Sequence, residues 1–431
     1  DWNSNFELNH LISENLSLDY TFYATRFKTE SQFDGSQSLF NQTLFRPEIR
    51  ATLNFINSSL NAGVGMNFDA LDRTFFDKKE TFNSKYLFIQ YDFNPIKNMN
   101  AVVGARFDSH NKYKSAFSPK ISTIYTIKDV LKVKASVGFG FKAPDFRQLF
   151  FNFINNTGGY IVLGTRTLHE LYGNEPNVVN LDKDLKPESS VGYNLGFEFE
   201  PIDDLKININ LFRNNIKDLI NTASLQKPNN TSSGTPILPG LGIGTSVFYY
   251  ENRDQVLTQG IEFDLQYKIS DNLKFSGGYQ FLQTEDEEEI NKIESGSVFF
   301  RKTPSSSSEL LSKSDYFGLP NRSKHTANAK FFYTNYKYDF SSNIRLIYRS
   351  KYALFDTNDS QNIIDKYDDF VKGNLQVNIA FNKMLLDMVD LQVGIDNLFD
   401  EKGLNNQSLF PNNDSVLLLG RTFYGRLRFN F

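Results

Sequence analysis

The sequence predicts an all-β protein, an antiparallel up-and-down transmembrane β-barrel of about 17 strands, and three observations predict it. Apolar and polar residues alternate with a period of two along most of the 431 residues. The connections between alternating stretches are short and long by turns. Many stretches run to roughly ten to fourteen residues, about twice the length usual for strands in soluble proteins.

The alternation is plainest from Leu131 to Lys142. Leu131, Val133, Ala135, Val137, Phe139 and Phe141 are apolar, and Lys132, Lys134, Ser136, Gly138, Gly140 and Lys142 are polar or small. Val191 to Phe199, Leu205 to Leu211, Ile261 to Ile269, Leu273 to Phe281, Leu375 to Phe381 and Leu391 to Ile395 repeat it. A period of two is the signature of a strand, because successive side chains point to opposite faces. Short connections such as "SENL", "NSSL", "IKDV", "PIDD" and "ISDN" take turns with long segments at 144–186, 222–245, 284–321 and 353–370.

A soluble sandwich and a membrane barrel can both show this period. Composition favours the barrel. Aromatic residues make up 15%, with 42 Phe, 21 Tyr and 1 Trp, yet hydrophobic residues total 40% and mean hydropathy is -0.42. The apolar face is therefore expected to meet lipid, with Val133, Val137, Phe139, Val191, Leu195, Ile207, Phe263, Leu265, Val377 and Val393 upon it. Lys132, Asn194 and Asp264 belong to the opposite, lumenal face. The final strand ends in Phe429 and Phe431, which match the aromatic signal that outer-membrane barrels present to their assembly machinery.

A net charge of -4 gives no reason to expect a nucleic-acid partner. The absence of cysteine excludes disulfides, thiolate metal sites and a cysteine nucleophile. No Ser/His/Asp set stands out, so no enzyme is expected, and no resident metal or cofactor.

"FKAPDFRQLF" (141–150), "LDKDLKPESSVGYNLGFEFE" (181–200), "LFRNNIKDLI" (211–220), "VGIDNLFDEKG" (393–403) and "GRTFYGRLRFNF" (420–431) together resemble the barrel of TonB-dependent outer-membrane receptors. Phe141, Lys142, Ala143 and Pro144 match that family's "FRAP" box, with Lys142 in place of arginine. Leu185, Lys186, Pro187 and Glu188 match its "NPNLKPE" box, without the usual Asn-Pro pair ahead. The resemblance implies the later part of a 22-stranded barrel, with residues 1–431 all barrel and the plug and about five strands lying outside the sequence. It implies the outer membrane of a Gram-negative bacterium and outer-membrane lipid around the strands. The partners it implies are a TonB-type energy-coupling complex reached through the plug side, and the barrel assembly machinery, with a surface lipoprotein a candidate. The function it implies is active import of an iron complex, haem or a ferric siderophore. Passive porin action and uptake of cobalamin or a glycan are the alternatives.

Of four histidines, His169 lies in the long segment between the two boxes, where haem-binding members of the family carry an iron ligand. Imidazole is a good axial ligand for haem iron, with Tyr172 and His110 as supporting candidates. "TEDEEEI" (284–290) reads as a solvated acidic loop rather than a calcium site, and "TPSSSSELLSKS" (303–314) as a flexible one.

Overall fold

The computed structural model describes the whole chain except residues 34–35, 156–157, 226–236, 243–244, 303–304, 359, 386–387, 403–418 and 430–431. Phe431, half of the expected terminal signal, lies outside the described residues, as does the end of the "VGIDNLFDEKG" stretch.

Among the described residues seventeen long strands follow one another. They are β1 (Trp2–Ser13), β2 (Leu16–Phe33), β3 (Ser36–Phe55), β4 (Ser58–Arg73), β5 (Glu80–Phe93), β6 (Met99–His110), β7 (Ala116–Ile127) and β8 (Leu131–Lys142), then β9 (Glu188–Ile202), β10 (Leu205–Ser224), β11 (Ser246–Lys268) and β12 (Leu273–Asp286), and finally β13 (His325–Asn335), β14 (Phe340–Arg349), β15 (Asn374–Leu385), β16 (Val389–Asp396) and β17 (Thr422–Phe429). Connections of two to five residues take turns with those at 74–79, 111–115, 143–187, 225–245, 287–324, 350–373 and 397–421, of which all but the five-residue 111–115 are longer. The two-residue 34–35 connection also departs from the alternation. It joins strands of 18 and 20 residues, well beyond the roughly 9–11 that cross a bilayer. No helix among the described residues is long and apolar enough to cross a membrane.

The chain divides into two compact units. One holds residues 1–123, 136–192 and 215–256, the other residues 124–135, 193–214 and 257–431. In the first, β1 to β6 pair antiparallel in sequence order. One row of directly opposed residues runs Leu8, Tyr20, Ile49, Val64, Leu87, Phe107, apolar across six strands. The adjacent row, Glu7, Thr21, Glu48, Gly65, Tyr86, Asp108, carries the polar groups. In the second unit Phe275, Phe331, Ile344, Ile379, Ile395 and Phe423 form a like row. Its polar counterpart is Ser341, Asn382, Gln392 and Arg426. A slip of one residue in any strand would break these rows.

The expected apolar set keeps its parity. Phe139, Leu195 and Val393 are exposed on that face. Val377 is buried instead, because the chain leaving β16 lies against it, with the Leu398 amide donating to the Val377 carbonyl at 2.8 Å. On the opposite face Lys132 and Lys134 reach Glu198 at 2.6 and 2.7 Å.

Rings cover glycines on the polar face. A Cβ on Gly65 would lie 2.3 Å from the Tyr86 ring, and one on Gly394 would lie 2.4 Å from Tyr424. Glycine is required at both, since each tyrosine lies flat across the neighbouring strand.

Ile344→Arg on the apolar face is expected to lower folding stability in vesicles by about 2–4 kcal/mol. Asn343→Arg, one residue along on the polar face, should change it by less than about 1 kcal/mol. Denaturant titration of the lipid-embedded protein checks both.

Candidate functional site

The long connections are ordered assemblies in the described residues, and those of the first unit carry the residues singled out by sequence. Pro144 ends β8. Asp145 then caps α1 (Phe146–Phe150) through a reciprocal box. Its side chain accepts from the Gln148 amide at 2.7 Å, and the Gln148 side chain accepts from the Asp145 amide at 2.9 Å. α2 (Thr165–Tyr172) starts at Gly164, where a Cβ would lie 2.4 Å from the backbone of Leu149 and Phe150. Only glycine lets α2 sit so close on α1.

The two family boxes meet. The Lys142 ammonium donates to the buried Glu188 carboxylate at 2.8 Å, and that carboxylate also accepts from the Ile220 amide at 3.2 Å. Leu185 is buried with Leu149, Ile220 and Tyr250. Asn252 accepts from the Lys186 amide at 2.9 Å and donates to the Lys186 and Asp218 carbonyls at 3.0 and 2.6 Å. These contacts clamp both ends of the 143–187 segment onto the strand ends.

The histidines are placed in different surroundings. His110 stacks on Tyr113 at 3.6 Å and meets the Phe82 ring edge-on at 5.1 Å, and its Nδ1 accepts from the Lys112 amide. Tyr172 packs against the apolar cluster of Ile161, Leu163, Leu168, Val178, Leu238, Val247 and Tyr249. His169 lies in the last turn of α2, with Nε2 buried and without a hydrogen-bond partner.

Sequence reasoning missed an arginine and aromatic cluster beside them. The Arg73 guanidinium lies 5.0 Å from the Phe151 ring centroid, 5.3 Å from Phe75 and 5.8 Å from Phe40. Arg147, exposed on α1, is close enough to Arg73 for mutual repulsion and to the buried Tyr250 to act on its hydroxyl. Arg166 lies over Phe150 and pairs with Asp184 at 2.8 Å. The residues come from β3, β4, α1, α2, β11 and the connections at 74–79 and 143–187, so no local stretch reveals them.

In the second unit the acidic run is no mobile loop. Asp286 is fully buried and caps α3 (Glu287–Glu294), accepting from the Glu288 and Glu289 amides. The Tyr316 hydroxyl donates to Glu289 at 2.9 Å. The acids stand at the positive end of the helix dipole, which offsets their repulsion. The serine-rich run likewise ends in order, with Leu311 buried among Ile293, Val298, Phe300 and Ile363. Three aspartates of the 350–373 connection accept backbone amides: Asp356 from Asn358 and Asn362, Asp365 from Tyr367, and Asp368 from Thr357 and Asp365. No group of ligands suited to a metal ion occurs among the described residues.

A family model described as "TonB dependent receptor-like, beta-barrel" matches residues 1–398. The chain belongs to the TonB-dependent receptor family. Its strands are those of an outer-membrane barrel of a Gram-negative bacterium. It is 23% identical over 356 residues to the probable TonB-dependent siderophore receptor PirA of Acinetobacter baumannii, covering 80% of this chain and 42% of that protein. It is 26% identical over 198 residues to the iron-regulated outer membrane virulence protein of Vibrio cholerae, covering 46% of this chain and 27% of that one. The chain thus spans less than half the length of these relatives. A crystal structure of the ferric enterobactin receptor PfeA of Pseudomonas aeruginosa superposes with a TM-score of 0.66 at 17% identity, covering 99% of this chain and 60% of that one. The copper transporter OprC gives 0.65 at 14%, covering 97% and 63%.

In this TonB-dependent receptor, Glu188→Gln is expected to weaken the Lys142 clamp by about 1–2 kcal/mol, since half of the pair faces solvent. Hydrogen exchange over 146–150 should accelerate accordingly. Lys142→Arg, which restores the residue usual in the family, should leave it unchanged.

Burial pushes the Asp368 carboxyl up to about 6. The folded connection therefore holds a proton more tightly than the unfolded chain, whose carboxyl titrates near 3.8. Its stability is complete at low pH and falls as pH rises from about 4 through 6. Asp365, also raised by burial, adds in the same direction. Opening of 350–373, measured by hydrogen exchange corrected for intrinsic rates, should be more frequent at pH 7 than at pH 4.5, and Asp368→Asn should flatten the difference.

Proposed function

We propose that this chain is the greater part of the barrel of a receptor that binds a ferric siderophore of catecholate type at its outer connections. Import then draws on energy relayed from the inner membrane through a TonB-type complex, which acts on a plug that other sequence supplies. The observation that carries the reading is the cluster of Arg73, Arg147 and Tyr250 among Phe40, Phe75 and Phe151. A siderophore saturates the coordination of its iron, so the receptor needs no metal ligand. It needs charge and shape. A ferric catecholate complex is an anion with aromatic faces, and guanidinium groups held beside phenyl rings complement both. Two arginines set close enough to repel each other form a site that an anion stabilises. The names of the relatives from Acinetobacter and Pseudomonas support the same reading.

Haem is the second reading, and His169 is the reason for it. Haem needs an imidazole nitrogen free to reach iron. Nε2 of His169 is enclosed by protein, which supports the siderophore. The structural likeness to a copper transporter is a reminder that fold does not choose cargo.

In the complete receptor, Arg73→Ala and Arg147→Ala are each expected to weaken ferric catecholate binding about 10- to 100-fold, the worth of a hydrogen bond to a charged group, while His169→Ala leaves it unchanged. Fluorescence titration measures the first. Wild-type affinity in both arginine variants would overturn the reading. A haem Soret shift that is lost in His169→Ala would transfer it to haem.

A further inference from the structure

A recess lies on the apolar face of the first unit, where the sheet contains a flaw. Pro47 sits within β3, between β2 and β4. Proline has no amide to donate, and the β3–β4 ladder is interrupted between Phe45↔Phe68 and Glu48↔Gly65. The strand beyond carries Gly65, whose side-chain space is taken by Tyr86 from the polar face. Beside this break lies a hollow of about 380 Å³ lined by Pro47, Ile49, Val64, Met66, Leu87 and Phe107, with almost no polar surface.

At one end of the hollow stand Lys85 and Ser109, directly opposed across β5 and β6. Both are exposed. On the same face of β5, Leu87, Ile89, Tyr91 and Phe93 run from there to the short connection at 94–98, while Asn83 and Thr81 continue toward the 74–79 connection. Lys85 therefore marks the upper edge of the apolar band, on the side of the long connections. Among the described residues no carboxylate or hydrogen-bond acceptor engages its ammonium. On the polar face of this region cations find partners within the protein: Arg46 donates to the Asn67 side-chain oxygen at 2.8 Å, Arg50 pairs with Glu48 at 2.8 Å, and Arg106 with Asp108 at 2.7 Å. A lysine that faces lipid without an internal partner calls for an anion from the lipid itself.

We propose that this face holds one molecule of the outer-leaflet glycolipid, lipid A, with a phosphate on Lys85 and Ser109 and an acyl chain laid in the Pro47 hollow. The pairing of one unpaired cation with an apolar trough of strand width, at the level where headgroups begin, matches an amphiphile with a phosphate directly above its chains. A neutral lipid would leave Lys85 without its anion. A free phosphate would leave the trough bare.

The test uses the complete receptor, stripped of lipid in detergent, checked for heat-modifiable gel mobility as a mark of the folded barrel, and offered lipid A, phosphatidylglycerol or phosphatidylcholine. Native mass spectrometry counts the bound lipid. Wild type and Lys85→Arg are expected to retain one lipid A. Lys85→Gln, which removes the charge, and Val64→Phe, which fills the hollow, should each cut retention at least five-fold. Retention by Lys85→Gln equal to wild type would overturn the proposal. So would phosphatidylcholine or phosphatidylglycerol held as firmly as lipid A, the first by removing the role of charge and the second by removing the choice of glycolipid.

Discussion

Everything in this molecule follows from the cost of an unpaired backbone amide in hydrocarbon. Water is absent there, so each N–H and C=O must find its partner within the protein. The chain meets that demand with antiparallel strands whose neighbours in sequence are neighbours in the sheet. Once the ladder is fixed, the pleat sends alternate side chains to opposite faces, and the two solvents of the protein are assigned residue by residue. This is how a chain with a mean hydropathy of -0.42 belongs in a membrane. Within the apolar band its charge falls on one parity, with Lys85 at the edge of the band as a described exception.

The polar parity shows what that confinement demands in turn. Glu198 is nearly enclosed, yet Lys132, Lys134 and Lys206 stand at 2.6, 2.7 and 3.4 Å. Buried without them, a carboxylate would be costly. Glu48 is held likewise by Arg50 and by the Tyr86 hydroxyl at 2.8 and 2.7 Å. The same tyrosine lies across Gly65, so one ring satisfies a carboxylate and fills the space of a missing side chain. Pro47 is where the rule is broken, and the ladder opens there toward the apolar face.

The strands were legible because period two is a local property. Six consecutive residues suffice to read it, and the parity from Leu131 to Lys142 needed no knowledge of the neighbours. The boxes were legible as patterns, though not as mechanics. That Lys142 grips Glu188 depends on β8 and β9 lying side by side after a connection of 45 residues. The interior of the long connections was not legible at all. "TEDEEEI" looks solvated until Asp286 is seen capping a helix whose buried face meets Tyr316, and the serine-rich run looks loose until Leu311 finds Ile363. Arg73 and Arg147 are brought together from a strand end and a helix 74 residues apart in number. His169 drew notice by its place in the chain, which carries no information about whether its nitrogen is open to a ligand.

The order in those connections bears on how a mouth of this kind binds. Ordering a loop on binding costs free energy that the ligand must supply, roughly 0.5–1.5 kcal/mol for each side chain immobilised. Here the described parts of the 143–187 connection are held by contacts within the chain itself. Asp145 and Gln148 cap α1 reciprocally, Gly164 lets α2 rest on its backbone, and Lys142, Glu188 and Asn252 tie the segment at both ends. Arg73 is held over three rings instead of hanging free in solvent. What such a site gives up in adaptability it gains in affinity, because the arginines already stand where the proposed anion would need them. That bargain suits a ligand of fixed shape better than a floppy or variable one, and the rigidity of the clamp thus supports the proposal of a compact metal chelate at these connections.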